Sequence, residues 1–115
     1  MGARRKAREY ALQVLFQIES SDQKPKEAFD VFWQEYPEST EIKEFCESLV
    51  VGTLKNFAEI DRIIEESSTH WKVSRMASVD RNLLRISVYE ILYLDEIPVS
   101  VTMNEAIEIA KKFGT

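Results

Sequence analysis

The sequence predicts an all-α protein, a helical bundle of about six helices, and three observations carry that expectation. Apolar residues recur at i, i+3/i+4 and i+7 in segment after segment, the period of one helix face. No segment shows the apolar/polar alternation of a half-buried strand. Three glycines and three prolines in 115 residues are too few for a turn-rich β-protein. A chain of this length is expected to fold as a single domain over 1–115, with 44% hydrophobic residues for a core and 30% charged residues for its surface.

The first helix is expected over Glu9–Glu19, with Ala7, Ala11, Val14, Leu15 and Ile18 on its core stripe and Ser20, Ser21 and Asp22 ending it. Pro25 suits the first turn of a second helix, whose apolar face is Phe29, Phe32, Trp33 and Tyr36 and which Pro37 stops. Ser39 or Thr40 caps a third helix with Ile42, Phe45, Cys46, Leu49, Val50, Thr53 and Leu54 inward. Gly52 within it costs about 1 kcal/mol relative to Ala, so it predicts a close approach by another helix. A fourth helix around Ala58–Ser67 offers Ile60, Ile63 and Ile64. The fifth, Val79–Leu94 with Ser78 as cap, is apolar around most of its circumference, which predicts a central position. After Pro98 a last helix presents Met103, Ala106, Ile109, Ala110 and Phe113, with Lys111, Lys112 and Gly114 as stop signals.

The charge distribution is uneven. Arg4, Arg5, Lys6 and Arg8 stand at the head of the chain without an acid among them, whereas the whole sequence has a net charge of −5. Without these four, eleven cations face twenty acids. Positive charge at a helix N-terminus opposes the helix dipole by about 0.3–1 kcal/mol per exposed group. Helix stability therefore does not account for the cluster, and a polyanion does. Arg5, Leu12 and Phe16 share a ridge away from the core stripe, and an aromatic ring beside guanidinium groups suits single-stranded RNA, whose unpaired bases stack for about 1–3 kcal/mol each. Two readings of that ridge stay open: Phe16 exposed for stacking, or Leu12 and Phe16 buried in a second core. Four neutralised phosphates would give log affinity against log salt a slope near about −3.

Catalytic chemistry finds little support. His70 is the single histidine, Cys46 lies on an apolar helix face, and nothing local activates either as a nucleophile. No metal-ligand spacing and no phosphate-cradling glycine loop occur, so no cofactor or metal is expected. Glu90 falls among Leu83, Ile86 and Leu94 on the helical wheel, which predicts a buried carboxylate paired with an arginine. The lone cysteine, the missing secretory pattern and the lack of an apolar run of about 20 residues point to the cytoplasm.

Three segments resemble the bacterial NusB family of transcription antitermination factors. The first is RRKAREYALQVLFQ, Arg4–Gln17. The second is Leu49-Val50-Val51-Gly52-Thr53 with Asn56 and Asp61. The third runs from Trp71 through Arg75, Val79, Asp80, Arg81, Leu84-Arg85-Ile86, Tyr89-Glu90, Ile97-Pro98 and Val101 to Asn104-Glu105-Ala106, Lys111 and Phe113-Gly114. The resemblance implies a pair of three-helix bundles and a role in ribosomal RNA transcription. It also implies binding of boxA-type single-stranded RNA together with the ribosomal protein NusE, within the antitermination complex on RNA polymerase. Arg4, Arg5, Lys6 and Arg8 match the family's arginine-rich RNA contact. Phe16 matches a position where relatives often place a tyrosine against RNA, and Asp80 matches an acidic position facing NusE. Relatives continue past Gly114 into another helix, which this sequence does not contain. Some relatives form homodimers, so self-association is possible. The alternatives are a helical adaptor that binds proteins only, or the NusB-like N-terminal domain of a ribosomal RNA cytosine methyltransferase.

Overall fold

Six α-helices and one 3-10 turn account for the computed structural model, which describes residues 2–67 and 72–114. The helices are α1 (Gly2–Ser21), α2 (Pro25–Glu35), α3 (Thr40–Lys55), α4 (Phe57–Glu66), α5 (Ser78–Tyr93) and α6 (Val99–Phe113), with the 3-10 turn at Val73–Arg75. No strand occurs among the described residues. The chain divides into two compact units, one through Val51 and one from Gly52 onward, with the division inside α3.

In the first unit α1 packs on α2. Its helix begins earlier than the pattern of apolar residues suggests, so Arg4, Arg5, Lys6 and Arg8 all belong to its first two turns, and its first turn contains no acid. It ends as expected. The Ser20 and Ser21 hydroxyls donate back to the Phe16 and Gln17 carbonyls at 3.0 and 2.6 Å, and Asp22 turns left-handed at φ 61°. Pro25 opens α2, and the Glu27 carboxylate accepts from the Lys24 N–H at 3.0 Å. Ser39 caps α3 by accepting the Ile42 N–H at 3.4 Å. The buried set is Ala7, Ala11, Leu12, Val14, Leu15, Ala28, Phe29, Phe32, Cys46, Leu49 and Val50. Around Phe32, the rings of Tyr10 and Trp33 meet it edge-on at 5.2 and 5.1 Å, and the Trp33 indole N–H donates to Glu47 at 2.9 Å.

In the second unit α5 packs against both α4 and α6. Ile60, Ile64 and Val73 form a buried cluster with Leu84, Val88 and Tyr89 against it. Gly52 has the predicted close neighbour: a Cβ there would collide with the hydroxyl end of the Tyr89 ring, which would have to move. The Asn56 amide donates to the Gly52 carbonyl at 2.9 Å. Arg85 is buried and forked onto Asp61 at 2.8 and 2.9 Å, with Phe57 beneath its guanidinium at 4.1 Å. Glu90 is 1% exposed and accepts the Thr102 hydroxyl at 3.0 Å. Several residues of the family-like segments thus serve packing.

Three expectations need correction here. Ser78 lies inside the first turn of α5 and Ala77 is the cap residue, with no side-chain cap bond. The apolar circumference of α5 is only partly covered, since Ile91, Leu92 and Tyr93 are exposed. In α6 the buried positions are Thr102 and Ile109, and Met103 is exposed.

Candidate nucleic-acid interface

The four N-terminal cations occupy one helix but four different environments. Arg4 is exposed, and its guanidinium lies over the Phe45 ring of α3 at 4.8 Å. Arg5 is half-buried. Lys6 is exposed and its ammonium meets the Glu38 carboxylate at 2.8 Å, with the Tyr10 ring at 5.8 Å. That carboxylate, more than any other neighbour, holds the Lys6 amine above its ordinary value of 10.5.

Arg8 departs from the expectation of an exposed cation. It is 4% exposed, and its guanidinium also lies over the Phe45 ring, at 5.5 Å. The reason is helical phase. Position 8 lies one residue after the buried Ala7 and one turn before the buried Leu12, so the arginine stem packs inward. Arg8 is therefore part of the packing between α1 and α3, which leaves Arg4 and Lys6 exposed and Arg5 half-buried.

The ridge that left two readings open divides between them. Leu12 is buried, as the second-core reading required, whereas Phe16 is 52% exposed, as stacking requires. Phe16 sits twelve residues beyond Arg4 on the same helix, about 18 Å along its axis.

Asp80 is exposed in the first turn of α5, where an acid also favours the helix dipole. It stands at the rim of an apolar groove of about 870 Å³ between α5 and α6, lined chiefly by Leu84, Val88, Ile91, Met103 and Ile107. Sequence periodicity assigned Met103 to a core and so missed this groove. The signal was available in α6, whose Val99, Met103 and Ile107 repeat every four residues on a second apolar ridge beside the Thr102–Ile109 stripe.

The other chemical candidates close down. Cys46 is buried, and burial pushes its thiol up to about 12, far from a nucleophile. His70 and Trp71 lie outside the described residues. No group of acids, histidines and cysteines suited to a metal occurs among the described residues, and no helix among them is long and apolar enough to cross a membrane.

Comparison with known proteins places this geometry. The model of the NusB family matches residues 5–115. The chain belongs to the NusB family. It is 48% identical over 115 residues to the transcription antitermination protein NusB of Desulfatibacillum aliphaticivorans, covering 100% of this chain and 80% of that protein. It is 51% identical over 111 residues to the Bacillus licheniformis NusB, covering 96% and 83%. Among solved structures, a complex of the antitermination factors NusB and NusE with double-stranded RNA superposes with a TM-score of 0.87 at 28% identity, covering 98% of this chain and 84% of the other. T. maritima NusB superposes with 0.84 at 34% identity, covering 97% and 79%.

Proposed function

We propose that this chain is a transcription antitermination factor that binds RNA through the first two turns of α1 and acts with a NusE-type protein, without catalysing a reaction, in the cytoplasm. The observation that carries the reading is a cluster of cations in the first two turns of α1, Arg4 and Lys6 exposed and Arg5 half-buried, with a half-exposed phenyl ring further along the same helix, on a chain that is otherwise acidic. Arg4, Arg5 and Lys6 supply the phosphate contacts, and Phe16 supplies a stacking face for an unpaired base. Arg8 supports this surface from below by fixing α1 against Phe45. Asp80 and the apolar groove beside it offer the protein partner a carboxylate next to an apolar seat. Kinship with NusB proteins along almost the whole sequence supports the same assignment.

The test is fluorescence anisotropy with a boxA-type oligonucleotide, single-stranded and as a duplex, with and without NusE, over a salt series. Single-stranded RNA is expected to bind more tightly than its duplex. Three participating cations predict a slope of log affinity on log salt near about −2, against about −3 had Arg8 been available. Binding of NusE without any binding of RNA would establish the protein-only adaptor instead.

A further inference from the structure

We propose that Phe45 of α3 is a positioning residue for RNA binding: its ring holds the Arg4 guanidinium without an acid, which leaves the N–H donors to meet a phosphate. The inference rests on the reading of α1 as the RNA surface. It adds a residue from a different helix that no pattern within α1 could indicate.

The aromatic residues of the first unit divide into two groups. Tyr10, Phe29, Phe32, Trp33 and Tyr36 contact one another. Phe45 has no ring contact among the described residues and meets cations instead: Arg4 at 4.8 Å and Arg8 at 5.5 Å, one helical turn apart on α1. Its neighbours on the inner face of α3, Cys46 and Leu49, are fully buried, while Phe45 remains half-buried at the edge of that face. A ring placed there is reached by a side chain from the solvent side.

For Arg4 this placement has a chemical consequence. A guanidinium is a flat cation whose donors all point outward in its own plane. A ring against its face satisfies the cation through the aromatic quadrupole and consumes none of those donors. A carboxylate in the same place would occupy two of them and cancel the charge. Arg4 is exposed and, among the described residues, has no carboxylate partner, so no acid occupies its donors while the ring contact restrains the side chain. An ordered long side chain loses less entropy on meeting a phosphate than a free one.

Loss of the ring should weaken RNA binding by about two- to tenfold. The salt slope should stay unchanged, because every charge remains. Phe45→Leu retains most of the volume and removes the quadrupole, whereas Phe45→Trp retains and enlarges it. In the cycle with Arg4→Ala, Phe45→Leu should weaken the unsubstituted chain and cost clearly less once Arg4 is gone, the remainder belonging to the Arg8 contact with the same ring. Phe45→Trp should bind at least as tightly as the unsubstituted chain, and only while Arg4 is present. In the RNA-free protein, the Arg4 δ-protons should carry an upfield ring-current shift that Phe45→Leu abolishes. An equal loss in both Arg4 backgrounds, or a tryptophan variant as weak as the leucine one, would overturn the proposal while leaving the RNA surface in place. Failure of the unsubstituted chain to bind RNA would overturn the surface itself. If the leucine variant does not fold, the tryptophan arm of the cycle decides alone.

Discussion

Arg4 and Arg85 both sit over phenyl rings, yet they are placed to opposite ends. Arg85 lies in the second unit, buried, 4.1 Å from the Phe57 ring centre and forked onto Asp61 by two bonds of 2.8 and 2.9 Å. Arg4 lies in the first unit, exposed, over Phe45. The ring is common to both, and the carboxylate is what differs. Where the acid is present, charge and donors are spent inside the fold and the arginine is structural. Where it is missing, neither is spent on an acid. Lys6 is intermediate, since its ammonium is exposed but leans on Glu38.

The strongest way to break the comparison is Asp61→Ala. Stranding the buried Arg85 should cost about 3 kcal/mol in chemical denaturation, with the salt slope of RNA binding unaltered. A change in that slope would show that the second unit shares the RNA surface. Next comes Phe16→Ala, expected to cost about 1–3 kcal/mol of RNA affinity while shifting stability by no more than about 0.5 kcal/mol, as for an exposed side chain. A stability loss of several kcal/mol would place Phe16 in a core.

Glu38→Gln should move Lys6 toward the situation of Arg4 and raise RNA affinity by no more than about fivefold. Because Glu38 raises the lysine value, the Lys6–Glu38 pair contributes fully below the ordinary lysine value of 10.5 and is lost as pH rises through the raised one. RNA binding by the unsubstituted chain should therefore persist to more alkaline pH than binding by the Gln variant, measured by anisotropy across pH 9–11.5. The smallest effect belongs to Arg4→Ala on stability. Losing a cation over a ring costs about 0.5–1 kcal/mol, and relieving the helix dipole returns about 0.3–1 kcal/mol. Melting should shift by no more than the equivalent of about 0.7 kcal/mol.

The helices were legible because each carries its own period. Ala7, Ala11, Val14 and Leu15, or Cys46, Leu49 and Val50, are spaced as one face and buried as one face. Gly52 announced a close contact, although its partner Tyr89 lies 37 residues away and could not be named. The site was legible only as a region. Arg4 and Arg8 are the same residue type one turn apart, and their different exposure depends on how α1 leans on α3. Leu12 and Phe16 likewise share a ridge, and only neighbouring helices decide which is covered. Glu90 was correctly read as buried, but its described bond is to Thr102, a hydroxyl on α6 that periodicity did not mark as inward. Phe45 was read as core because the period of α3 includes it. What its ring touches is a property of a second helix.

The groove between α5 and α6 also affects how this protein must be handled. Environment-sensitive dyes brighten wherever they find a dry crevice, so this chain should light up an anilinonaphthalene probe while entirely native. Such a signal, usually taken as a sign of loosened packing, would here report an intact surface feature. Its disappearance on heating, rather than its onset, is what should mark unfolding.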